Sequence, residues 1–88
     1  LEQNYPNPFN PQTTLTYILP EETMVTLVVY DILGKQIKTI VNQSQNAGVH
    51  NVRWNGTDIS GTLVSGGVYL YRIEAGKFTD TRKMLFLK

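Results

Sequence analysis

The sequence predicts an all-β fold, a small antiparallel β-sandwich. Short runs of alternating apolar and polar residues recur along the chain, turn-forming Gly, Pro, Asn and Asp stand between them, and no stretch repeats with a helical period. Six or seven strands are expected, and no helix.

The chain opens with an irregular arm, residues 1–12, ahead of the sandwich proper at residues 13–88. Pro6, Pro8 and Pro11 have no N–H for a ladder and push the preceding residue toward extended geometry, so Gln3–Gln12 can be neither helix nor central strand. Tyr5 and Phe9 are expected to pin this arm onto an apolar surface. Thr14–Leu19 then alternates as a first strand until Pro20-Glu21-Glu22 stops it. Met24–Asp31 is apolar on both faces, which suits a strand inside a sheet. Asp31-Ile32-Leu33-Gly34 forms the turn that follows, with the carboxylate able to accept from backbone N–H groups and Gly34 free to take positive φ.

Lys35–Asn42 returns as a third strand, in which Ile37, Ile40 and Val41 break strict alternation, so a bulge or twist is expected near Thr39. Gln43–Gly48 reads as a polar loop. In Val49–Asn55, Trp54 and Val52 share a face that enters the core, and His50 falls at its rim. Gly56–Gly67 is a long connection with room for a short strand at Thr62–Val64. Val68–Ala75 places Tyr69, Tyr71 and Ile73 on one face, and Gly76-Lys77 turns the chain into a closing strand, Phe78–Lys88. Trp54 is expected to pack with Val25, Leu27, Val52, Tyr69 and Met84. The nearest general architectures are the immunoglobulin and fibronectin type III folds.

Composition narrows the function. Eighty-eight residues make one domain, and a chain of this size buries only about two thirds of its unfolded surface, too little for a deep enzyme cleft. With no cysteine, no disulfide or thiolate site supports the core. The net charge of +1 implies no attraction to nucleic acid. Apolar runs such as Met84–Leu87 fall far short of a membrane span, so no membrane insertion is expected. The chain begins without methionine or signal pattern, as an excised portion of a longer protein would. Charge is uneven: residues 1–34 carry acids and no Lys or Arg, whereas Arg72, Lys77, Arg82, Lys83 and Lys88 dominate the end. A basic closing strand is either a recognition feature or simply the charged rim of a sheet edge.

Little suggests catalysis. His50 is the only histidine, and no motif positions Ser44, Ser60 or Ser65 against it and an Asp. Glu21-Glu22 follows a proline in a turn, where adjacent carboxylates diverge. Asp31, Asn55 and Asp58 are calcium-type ligands without calcium-site spacing. Ser65-Gly66-Gly67 precedes a strand and lacks a P-loop lysine. No enzyme activity, metal or cofactor is expected. The aromatics could form a flat sugar-binding face, but Trp54, Tyr69 and Tyr71 lie where core residues belong.

The motifs, taken in order, resemble one family: the type A C-terminal sorting domain of proteins exported by the type IX secretion system of Bacteroidetes. Asn4–Pro11 with Thr13, Thr14, Leu15 and Tyr17 resembles its opening motif, and Val29-Tyr30-Asp31 with Gly34 its central turn. Trp54 with Asp58 and Gly61, then Gly67-Val68-Tyr69, Tyr71-Arg72 and Gly76, resemble the later motifs; Lys83-Met84 and Lys88 resemble the ending. Gly66 departs from the pattern, which expects Ser, Pro or Thr. The resemblance implies a non-catalytic address on a secreted protein. An N-terminal cargo domain is covalently attached, and the partners are the outer-membrane translocon and its sorting peptidase. Cleavage and attachment to the cell surface, or release, can follow passage through the periplasm. Gly67, Tyr69, Gly76, Lys83 and Lys88 become the candidate recognition residues. The fold is also similar to the immunoglobulin-like domain of the flagellar hook-capping protein, so a structural assembly module is the alternative and a carbohydrate-binding module a third.

Overall fold

In the computed structural model, which describes residues 1–88, six strands form two antiparallel sheets: β1 (Thr13–Leu19), β2 (Thr23–Asp31), β3 (Gln36–Gln45), β4 (Gly48–Trp54), β5 (Gly67–Ala75) and β6 (Phe78–Phe86). One sheet holds β1 and β4, and the other has the order β3-β2-β5-β6. The chain forms an immunoglobulin-like sandwich. Its three short turns, β1–β2, β3–β4 and β5–β6, gather at one pole, called here the entry pole. The β2–β3 turn, residues 55–66 and the end of β6 gather at the other, the exit pole.

Alternation sorts the strands as expected. Leu15, Tyr17 and Leu19 of β1 face Val25, Leu27 and Val29 of β2 and Tyr69, Tyr71 and Ile73 of β5, all of them buried. β2 lies between β3 and β5, which explains why its second face is also apolar: Val28 is buried on the outer side. Trp54 is 1% exposed. Its ring meets Tyr69 edge-on at 5.4 Å and tilts against Phe9 at 5.7 Å, and its Nε1–H donates to the Thr57 carbonyl at 2.9 Å.

The turn after β2 follows from its residues. Asp31 Oδ1 accepts from the N–H groups of Leu33 and Lys35, both at 2.9 Å, while Gly34 adopts φ +87°. The irregularity expected in β3 is present as two register shifts against β2, which skip Ile40 and Ile37 and turn both toward the core.

Three details differ from the sequence reading. Gln43–Gln45 is strand, not loop, because these residues pair with Thr23–Val25 and extend the ladder as a polar sheet edge. Thr62–Val64 is no strand: only an isolated bridge, Thr57 to Leu63, crosses that loop. Tyr5 is 80% exposed, so Phe9, 1% exposed, anchors the arm without it.

The arm is built into the sandwich. It runs between β1 and β6, the two sheet edges on one side. Tyr5 exchanges backbone hydrogen bonds with Thr14 of β1 at 3.1 and 2.8 Å, and Phe9 bridges β6 in parallel through Leu85 O and Leu87 N, both at 3.0 Å. The Phe9 ring stacks on Phe86, centroids 4.9 Å apart.

Phe9→Ala should therefore cost about 3–5 kcal/mol, as much as Trp54→Ala, although it lies outside every regular strand. Tyr5→Ala should change stability by less than about 0.5 kcal/mol. Urea denaturation of the three variants checks both values. Gly34→Val, with no neighbour to clash with, should still lose about 1–2 kcal/mol from backbone strain alone.

Candidate recognition surface

The closing strand forms an edge, and its charges sort by direction. In β6 the residues opposite Ile73 and Tyr71, namely Asp80 and Arg82, point to the core side and pair with each other at 3.6 Å. Lys83, opposite Leu70, lies on the outer face. It takes no part in an ion pair, and neither does Lys88; the second pair joins Arg72 to Glu74 at 3.5 Å. Lys83, Asn7, Ile32, Val68, Met84 and Leu85 line a shallow groove of about 310 Å³ near the exit pole.

Charge is segregated between the poles. Lys35, Lys38, Arg53, Lys83 and Lys88 stand toward the exit pole and outnumber Asp31 and Asp58. Both of these carboxylates are already committed to turns: Asp58 Oδ1 accepts from Ser60 N and Thr62 N at 2.9 and 3.0 Å, as Asp31 does in its own turn. At the entry pole Glu2, Glu21 and Glu22 face Lys77 alone. The exit pole is the electropositive end of the molecule.

The five candidate residues do not converge on one spot. Gly67 opens β5 opposite Phe86, within the exit pole that also carries Lys83 and Lys88. Gly76, φ +61°, turns the β5–β6 hairpin at the opposite pole, where an added Cβ would lie 3.1 Å from Thr23 Oγ1. Tyr69 is buried; its hydroxyl donates to Ser65 O at 2.5 Å, so it supports the loop before β5 and offers no surface to a partner. Gly66 explains itself by space, since a Cβ there would come within 3.2 Å of Lys88 Cβ and Phe86 O. The tail packs where a side chain would otherwise stand.

A polar network that the sequence reading missed holds the arm. Asn4 is buried, and its Nδ2 donates to Thr13 Oγ1 at 2.9 Å and to Pro6 O at 3.1 Å, while its backbone N–H donates to the Tyr71 hydroxyl at 2.7 Å. That hydroxyl in turn donates to Glu2 O at 2.9 Å. Asn7 Oδ1 accepts from Leu85 N, and Gln3 Nε2 donates to Lys83 O at 2.7 Å, so arm side chains cap the edge of β6. The available signal was the mixture of Asn with Pro: in a segment whose prolines cannot form a ladder, the buried backbone groups around it find their partners in side-chain amides. Burial raises the Tyr71 pKa, opposed by the Asn4 N–H and by Arg82, and burial likewise raises those of Tyr17 and Tyr69. Tyr17 donates its hydroxyl to Gln45 Oε1, tying β1 to the end of β3.

A family model described as the FlgD Ig-like domain matches residues 9–78. FLGD from P. aeruginosa superposes with a TM-score of 0.66 and 25% identity over 84% of the chain. Latent dimeric PorU from Porphyromonas gingivalis gives a TM-score of 0.78 at 18% identity over 97% of the chain. PorZ of the same organism, a surface component of its type IX secretion system, gives 0.66 at 18% identity over 98%. The chain spans 57% of the FLGD chain and 9% and 11% of the other two. No curated protein matches it.

The buried tyrosines set an alkaline limit. Their folded pKa values lie above the ordinary 10.0, so above pH 10 the unfolded chain loses protons that the folded chain keeps. The contribution of these tyrosines to stability should be constant below about pH 10 and fall as pH rises beyond it. Tyr71→Phe should lose about 1 kcal/mol at neutral pH through its missing hydrogen bonds and show a shallower alkaline decline. Denaturation across a pH series checks both.

Proposed function

The chain belongs to the FlgD Ig-like domain family, and from that premise we propose that it serves as a non-catalytic C-terminal sorting domain. It directs an attached cargo protein from the periplasm across the outer membrane by type IX secretion. The partners in this reading are the outer-membrane translocon and a sorting peptidase, with cleavage and cell-surface attachment as the later steps.

One observation carries the reading. Nearly the whole chain superposes on a minor part of PorU and of PorZ, and PorZ is itself a surface component of that secretion system. The fold is thus found as a small unit within two much larger proteins, one of them a component of that system. The ordered motifs from Asn4 to Lys88 support the same assignment. The electropositive exit pole supplies a surface for recognition: Lys83 and Lys88 are unpaired there, and Gly67 keeps the start of β5 open beside them.

A structural assembly role is the second reading, favoured by the 25% identity to FLGD. A sugar-binding face finds less support, because Trp54, Tyr69 and Tyr71 are all buried.

The domain, fused behind a reporter with an inner-membrane export signal, should carry that reporter out of a cell that has the type IX apparatus. Deleting Lys83–Lys88 would not isolate an address, since Met84 and Phe86 are core residues. Charge changes do. The double variant Lys83→Gln, Lys88→Gln should keep stability within about 0.5 kcal/mol, as exposed substitutions do, while trapping the reporter in the periplasm. A wild-type fusion that remains periplasmic, while the domain binds a neighbouring structural protein, would favour the assembly role instead.

A further inference from the structure

Packing forces a glycine after an asparagine in the loop that leaves β4. Gly56 is buried at φ +74°, and a Cβ there would lie 2.9 Å from Cζ of the Phe86 ring, so no side chain fits. Its C=O accepts from Val64 N at 2.8 Å, whereas its N–H donates to no group of the protein. Asn55 is exposed, and its carboxamide folds forward over this peptide: Thr57 Oγ1 donates to Asn55 Oδ1 at 2.6 Å. The direction of that bond is fixed from the far side. Lys38 Nζ reaches Thr57 Oγ1 at 3.2 Å, and an ammonium can only donate, so the hydroxyl proton is left to point at the amide oxygen. Thr57 is held in turn by the Trp54 indole, whose N–H donates to its C=O at 2.9 Å. No other asparagine has such a neighbour: Asn7 and Asn10 precede proline, and Asn4, Asn42, Asn46 and Asn51 precede residues with a side chain.

We propose that Asn55 is a self-modification site, at which the side-chain amide converts in place to a carboxylate. The Gly56 nitrogen bonds to Asn55 Cγ, its proton passes through solvent to the departing amide, and the Cγ–Nδ2 bond breaks with release of ammonia. Water then opens the five-membered imide at either carbonyl, leaving aspartate or isoaspartate at position 55; nothing is oxidised or reduced. Each part of the loop serves that step. The glycine nitrogen has no neighbouring side chain to block its approach, and the forward fold of the carboxamide holds the reacting groups together. The Thr57 hydroxyl, backed by the Lys38 ammonium, stabilises the oxyanion that forms on Oδ1. Replacing a neutral amide by a carboxylate takes the net charge from +1 to zero, and does so at the electropositive exit pole, close to Lys38. An aspartate there keeps the bond from Thr57 and gains the attraction of that ammonium, so the fold accommodates the product. Loss of ammonia makes the change one-way.

The test follows the purified domain through prolonged incubation in mildly alkaline buffer, by mass spectrometry of its peptides and by isoelectric focusing. The Asn55 peptide should gain the mass of an amide-to-acid change and the folded domain one negative charge, while every other asparagine persists. Thr57→Val removes the hydroxyl but keeps the shape and the backbone bond to Trp54, so it should slow the folded reaction at least about threefold. Thr57→Ser, which keeps a hydroxyl, should retain the wild-type rate, and Trp54 emission verifies that both variants are folded. In urea the wild-type and Thr57→Val chains should react alike, since the loop geometry is gone. An equal or faster rate in folded Thr57→Val would overturn the proposal. So would a folded wild-type chain that keeps Asn55 while the unfolded chain loses it, which would make the Thr57 bond a protective one. The measurement needs neither cargo nor secretion apparatus, so its outcome is independent of whether the sorting assay succeeds.

Discussion

Everything in this domain depends on closing one seam. A sheet of only two strands, β1 and β4, faces a sheet of four, and two strands alone do not shelter a core. The arm supplies the missing width. Phe9 completes an aromatic cluster with Trp54 and Phe86, and Asn4, Thr13 and Tyr71 satisfy one another beneath the arm, leaving no buried side-chain polar atom unpaired. Two of these contacts, Phe9 to Phe86 and Asn4 to Tyr71, join the first residues of the chain to its last two strands. Loss of the arm would expose both the hydrophobic floor and the backbone edges of β1 and β6.

Strand positions were legible because each strand but one keeps its period. Trp54, Tyr69, Tyr71 and Ile73 declare the core face by alternation, and Asp31 with Gly34 declares its turn through chemistry local to a few residues. What escaped the sequence reading is non-local. Polar Gln43–Gln45 look like loop residues, and only their partners Thr23–Val25 make them strand. Tyr5 and Phe9 are equivalent by type, yet only Phe9 meets Phe86 across the fold. Asn4 carried no period at all; its burial follows from the Tyr71 hydroxyl, far away in sequence.

The candidate site was legible in part for the same reason. Lys83 and Lys88 lie on a free face, as residues near the end of an edge strand do. Tyr69 belongs to the period of the core, and Gly76 turns a hairpin at the other pole, so the motif residues serve two purposes. Some shape the sandwich, and a smaller set decorates its basic end. Gly66 illustrates the overlap: its missing side chain makes room for Lys88 Cβ and the Phe86 carbonyl, so the tail is positioned by packing before any partner meets it.

The course of the arm also has a mechanical consequence. Leu1 stands at one pole and Lys88 at the other, along the 37 Å axis of the molecule, and the arm runs parallel to β6 between them. A pull that draws Leu1 and Lys88 apart slides the arm against β6 instead of peeling it away. The bonds of Phe9 to Leu85 and Leu87 and of Gln3 and Asn7 to β6 are therefore loaded in shear, together and not in succession. Tension between Leu1 and Lys88 is borne by the seam as a whole, and the arm resists sliding along the strand direction more than it would resist peeling.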